Sequence, residues 1–116
     1  MVIENKISRG EIWWVDLNPV RGHEQSGKRP ALIFSVDLFN NGPAELVVVL
    51  PITTKNKKIP FHVEISPPQS GLKEISYVKC EDIRSISKER LISRISIAST
   101  TIMIEIEDRV RILLNL

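Results

Sequence analysis

Between residues 22 and 30 the chain reads GHEQSGKRP, placing His23, Glu24, Gln25, Lys28 and Arg29 between two glycines and a proline. A plain connection needs few residues, about 4 to 6 in most compact domains. This stretch holds groups that can move a proton, stabilise a negative charge and donate several hydrogen bonds. The Arg29 guanidinium presents donors in a fixed fork that suits phosphate oxygens, against the plainer reading of a surface arginine capping a loop. A second polar group closes an apolar run in PITT, with Thr53 and Thr54, and a third is KCED, with Lys79 and Glu81. Metal chemistry is not indicated. His23 and His62 lie far apart without ligand spacing around them, and Cys80 has no companion cysteine.

The elements that must carry these groups are short. EIWWVDL (11 to 17) and PALIFSV (30 to 36) read as strands on either side of the polar loop. ELVVVLPITT (45 to 54) is nearly continuous in its hydrophobicity, as a central strand covered on both faces would be. NNGPAE before it is a turn. FHVEI (61 to 65) alternates cleanly and YVKCEDI (77 to 83) less so, with SPPQSGLK breaking the ladder between them. From Ser99 onward, Ile102, Ile106, Val110, Leu113 and Leu114 fall at helical spacing behind a Ser or Thr cap, although IMIEIE also alternates as a strand would. Short strands in series with one closing helix predict a mainly β fold: a small, half-open, SH3-like barrel of antiparallel strands with a C-terminal helix.

Composition bounds the function classes. The 116 residues fit one domain, 1–116, and 42% hydrophobic with 26% charged residues supports a core. A net charge of +2 argues against bulk attraction of nucleic acid, so such a partner must be met locally. The lone Cys80 cannot form an internal disulfide, which suits a reducing cytoplasm. The N-terminus has no apolar h-region, and LVVVLPI is far too short to cross a bilayer, so no membrane association is expected.

RGEIWWVDLNPVRGHEQSGKRPALIFS, followed by PITT, PFHVEI, VKCEDIRSI and RL, resembles the successive motifs of the MazF/PemK/Kid family of toxin endoribonucleases. The resemblance runs in order over nearly the whole chain, and the pairing of G-x-E-Q-x-G-x-R-P with a later P-I-T-T makes it specific. It implies an SH3-like barrel that forms a homodimer, is neutralised by a cognate antitoxin, and cleaves single-stranded RNA at short sequence motifs with no metal or other cofactor. DNA is a further contact open to the toxin–antitoxin complex.

The residues present can support that chemistry. Metal-free cleavage uses the substrate's 2'-hydroxyl as nucleophile, so the protein must remove its proton, protonate the leaving 5'-oxygen and stabilise charge on phosphorus. Arg29 matches the family arginine and is the first catalytic candidate. Thr53 is the second; by β-propensity alone it would be an ordinary strand residue, and the resemblance reverses that reading. His23 falls where some members carry histidine and others serine, so it reads either as a proton carrier or as a solvated loop residue. Glu24 reads equally as base or as loop brace. Gln25 suits a base edge or the loop itself.

KCED aligns with a segment that reads R-C-D in the Kid branch, where arginine and aspartate act as acid and base. Lys79 and Glu81 depart from that pattern, which leaves them as supporting RNA contacts. Cys80 between them is expected in the core. Lys28 and Thr54 are expected along the RNA, as are Lys55 and Lys57 of KNKK, a run equally readable as a solvated loop. Phe61 is a core residue first and a base contact second. Trp13 and Trp14 must face opposite sides of their strand. Two other function classes remain open: a CcdB-like toxin of the same fold that grips DNA gyrase through its C-terminal helix, and an RNA-binding module with an inactive site.

Overall fold

The structure is a computed structural model and describes residues 6–18 and 27–116. Among the described residues seven strands are present: β1 (Glu11–Asp16), β2 (Lys28–Ile33), β3 (Leu46–Thr53), β4 (His62–Ile65), β5 (Ser76–Lys79), β6 (Arg84–Ser87) and β7 (Leu91–Ile97). A one-turn helix α1 (Asp37–Asn40) follows β2, and α2 (Thr100–Leu114) ends the chain. The strands form one antiparallel sheet in the order β4-β5-β3-β2-β1-β7, with β6 paired to the first half of β3. The expected mainly β class with a C-terminal helix is what the chain adopts. The sheet does not close into a full barrel, since β4 and β7 stand at opposite ends of the path.

Strand periodicity explains where the core sits. Even-numbered Ile12, Leu32, Leu50 and Ile52 turn to one face, where Met103, Ile106 and Val110 of α2 cover them. Odd-numbered Val15, Ala31, Ile33, Val47 and Val49 turn to the other, joined by Ile7, Leu17 and Ile86. Apolar residues on both faces of β1, β2 and β3 are why LVVVLPI reads as an unbroken run. The two tryptophans obey the same alternation: Trp13 packs against the second cluster, and Trp14 is 41% exposed on the first face.

The terminal helix forms where its apolar spacing predicts it. Ser99 caps it, its Oγ accepting from the backbone N–H of Ile102 at 3.2 Å, and Asn115 ends it in the left-handed conformation at φ 58°. IMIEIE is therefore helical, and the capped 15-residue turn sequence outweighs its local alternation.

Three expectations are corrected. The strand read through YVKCEDI stops at Lys79, and Cys80–Asp82 is a 3-10 turn. Val78 and Cys80 both reach the helix-side core, as alternation along a strand expects, but the chain turns at Cys80 to lead into β6. PALIFSV is strand only to Ile33, after which the backbone bends into α1. RSIS and LISRISI are strands that the reading above did not assign. Their Ser and Arg positions hide the alternation, and most of β7 is solvent-facing.

Candidate active site

Register brings the separated motifs together. In the β1–β2 pair, Trp14 lies opposite Pro30, Val15 opposite Arg29 and Asp16 opposite Lys28. In the β2–β3 pair, the ladder ends at Ala31 opposite Pro51, two residues from Arg29 on one strand and two from Thr53 on the other, and both residues line the same cleft. On the far side of β3, Thr53 pairs with Tyr77, and the neighbouring Ser76 and Thr54 both line the same cleft. These strand ends frame a cleft of about 350 Å³. Lys28, Arg29, Thr53 and Thr54 line it, together with Trp14, Ile95 and the segment from Gly71 to Glu74.

The cleft can hold an anionic, partly planar ligand. Lys28, Arg29 and Lys73 bring positive charge to its lining, set against the Glu74 carboxylate. Lys28 and Arg29 are exposed at the start of β2, where the strand has left the core. Thr53 Oγ1 accepts the backbone N–H of Lys55 at 3.1 Å, which orients the hydroxyl and leaves its own proton to donate. Trp14 offers an aromatic face beside these donors.

The wall from Gly71 to Glu74 belongs to the segment between β4 and β5. Ser70 N–H donates to Ser66 carbonyl at 3.2 Å, Gly71 N–H to Pro68 carbonyl at 3.1 Å, and Ser96 Oγ of β7 donates to the Ser70 carbonyl. Gly71 sits at φ +75°, and a Cβ there would meet Ile95 Cγ2 at 2.9 Å. Glycine is therefore what lets this wall approach β7. Lys73 and Glu74 were not among the residues picked out from sequence, where SPPQSGLK registered only as a ladder breaker. Its Gly and Lys were the signal.

His23, Glu24 and Gln25 fall outside the described residues. The chain on either side of them is joined: Leu17 N–H donates to Gly27 carbonyl at 3.0 Å, and Gly27 N–H to Asn18 Oδ1 at 3.0 Å. Lys55 and Lys57 are exposed beyond Thr53 and do not line the cleft. Phe61 packs on the helix-side core. Lys79 and Glu81 form a separate polar cluster. Lys79 Nζ lies 3.5 Å from Asp82 Oδ2, and Glu81 Oε2 lies 2.8 Å from His62 Nε2, the histidine side chain being 4% exposed. Cys80 is fully buried, and burial together with the neighbouring Glu81 carboxylate pushes its thiol up to about 12. Such a thiol is no nucleophile at neutral pH. Among the described residues, no three His, Cys, Asp or Glu side chains converge as metal ligands, and no helix is long and apolar enough to cross a membrane.

Residues 8–114 match the family model described as PemK-like, MazF-like toxin of type II toxin-antitoxin system. The chain is 33% identical over 111 residues to the endoribonuclease EndoA of Bacillus subtilis, covering 95% of this chain and 96% of that one. Its fold is similar to the crystal structure of MazF from Deinococcus radiodurans, with a TM-score of 0.86, 27% identity, and coverage of 97% of this chain and 100% of that one. A MazE–MazF crystal structure from the same organism matches with a TM-score of 0.80 at 27% identity, over 97% of this chain and 99% of that one.

Proposed function

Because the chain belongs to the PemK-like, MazF-like toxin family of type II toxin-antitoxin systems, we infer that the Arg29–Thr53 cleft is the active centre of an RNA-cleaving toxin. The protein is a MazF-type endoribonuclease of a toxin-antitoxin module. The observation that supports this reading of the centre is that Arg29 and Thr53, from adjacent strands β2 and β3, line one cleft.

The reaction is cleavage of single-stranded mRNA at a short sequence, without a metal ion, which inhibits translation and growth. The 2'-oxygen attacks the adjacent phosphorus as a base takes its proton, and the P–O5' bond breaks as an acid protonates the leaving oxygen. The products are a 2',3'-cyclic phosphate and a 5'-hydroxyl. Arg29 stabilises the charge that builds on the non-bridging oxygens, where a charge-assisted, forked contact is strongest. Thr53 donates its hydroxyl proton to the same phosphate. His23 and Glu24 are the candidates for proton transfer, and Gln25, Lys28 and Thr54 for holding the RNA. Trp14 supplies a stacking face for a base. Lys79 and Glu81 hold the turn after β5 and support the RNA site indirectly.

The whole chain, 1–116, acts as one toxin domain, cytoplasmic and controlled by a MazE-like antitoxin. A symmetric homodimer fits the apolar residues left exposed on α2, where Ile104 is 61% and Ile112 60% exposed. DNA contact comes through the toxin–antitoxin complex. The test is incubation of the purified protein with mixed-sequence RNA in EDTA, followed by mapping of cut sites and end groups. Cleavage with cyclic phosphate ends is expected. Strict dependence on magnesium would overturn the mechanism.

A further inference from the structure

The structure assigns Arg90 as a positioning residue for Arg29, acting through the neck of the chain that leads into residues 19–26. Arg90 closes a 3-10 turn, Lys88–Arg90, that joins β6 to β7. Ser87 caps this turn, its Oγ accepting from Glu89 N–H at 3.3 Å. From there Arg90 Nη1 donates to the carbonyl of Asp16 at 3.1 Å and also to the carbonyl of Asn18. One guanidinium thus grips the backbone on both sides of the buried Leu17.

These carbonyls have no strand to receive them. The β1–β7 ladder shifts register between Trp14 and Val15 and ends at Val15 opposite Leu91. Beyond that point the β7 side of the chain is held by the Arg90 side chain instead of a backbone ladder. On the other side, Leu17 and Asn18 are bonded to Gly27, and Asn18 N–H donates to Asp16 Oδ1 at 3.0 Å. Asp16 lies opposite Lys28 and Val15 opposite Arg29. The backbone that carries Arg29 is therefore braced against the segment that Arg90 holds. A charged nitrogen carrying two N–H groups is suited to this, because charge-assisted hydrogen bonds to carbonyls are stronger than neutral ones.

Arg90 does not line the cleft, so its effect on cleavage must pass through geometry. A misplacement of about 1 Å in a catalytic group can cost about a hundredfold in rate. This inference rests on the reading of the cleft as the RNA-cleaving centre, and the test separates the two.

Wild type, Arg90→Ala, Arg90→Lys, Arg29→Ala and the double variant Arg29→Ala/Arg90→Ala are compared for single-turnover cleavage of one short RNA at saturation, RNA affinity, and amide hydrogen exchange at Leu17 and Gly27. Arg90→Ala is expected to slow cleavage by about tenfold or more with little change in RNA affinity, and to speed exchange at both amides. Arg90→Lys should recover part of the rate, since an ammonium can still donate to one carbonyl. The double variant should be no slower than Arg29→Ala. Full rate in Arg90→Ala, or losses in the double variant that multiply, would overturn the assignment. If Arg90→Ala does not fold, Arg90→Gln, which keeps a shorter neutral donor at the same position, carries the same test. An inactive wild type would reject the reading of the cleft, while exchange at Leu17 and Gly27 would still decide whether Arg90 braces the neck.

Discussion

His62 and Glu81 are joined by a 2.8 Å contact between Nε2 and Oε2, which ties β4 to the turn after β5. The histidine is 4% exposed and the glutamate 28%, so the pair is an internal brace with one edge toward solvent. This accounts for a segment that by resemblance invites an acid–base reading. Glu81→Ala leaves a buried imidazole without its partner, which costs about 1–3 kcal/mol. The expected result is a lowered melting temperature with cleavage much closer to wild type than that of Arg29→Ala. Loss of cleavage at unchanged stability would move Glu81 into the chemistry.

Gly71 makes a second test of how the cleft is walled. Alanine there must adopt a left-handed φ of +75° and place Cβ 2.9 Å from Ile95 Cγ2, and Ile95 itself lines the cleft. The strain is about 1–3 kcal/mol. Gly71→Ala is expected to lower the melting temperature and to weaken RNA binding as Ile95 and the wall shift. Binding titrations alongside thermal melts check both, and unchanged affinity would mean the wall does not touch RNA.

Cys80 gives a prediction about pH. Its thiol titrates near 9.0 in an ordinary setting and is pushed up to about 12 in the fold by burial and by Glu81. A raised folded value means the unfolded chain releases this proton first, so the contribution to stability is complete below 9.0 and is lost as pH rises toward 12. Alkylation by iodoacetamide at pH 8 should be negligible for the native protein and rapid once it is unfolded. Rapid labelling of the native protein would contradict the buried placement.

Much of this was legible in the residues, for physical reasons that differ by element. β1, β2 and β3 carry apolar residues on both faces, and α2 carries a capped 3.6-residue spacing; both patterns survive without knowledge of tertiary contacts. Arg29 and Thr53 were legible through their motifs, but their meeting depends on the β2–β3 register, which no local pattern encodes. β7 was missed because an edge strand exposed on much of its surface lacks the apolar alternation by which strands are read. The 3-10 turn at Cys80–Asp82 was missed because three residues are too few to show a period. Lys73 and Glu74 reach the cleft only because Gly71 folds their segment against β7.

In the proposed reaction Arg29 and Thr53 act together on one phosphate. Single-turnover cleavage of a short RNA by Arg29→Ala, Arg29→Lys and Thr53→Ala, with circular dichroism of each, tests it most directly. Removal of Arg29 should cost on the order of 3 kcal/mol of transition-state stabilisation, about a hundredfold or more in rate. Lysine should restore little, because a point charge does not span two oxygens. Thr53→Ala should lose less, since a neutral hydrogen bond is weaker than a charge-assisted one. All three should keep the wild-type fold, because both side chains belong to the cleft and not to the core. Full activity in Arg29→Ala with an intact fold would contradict the account.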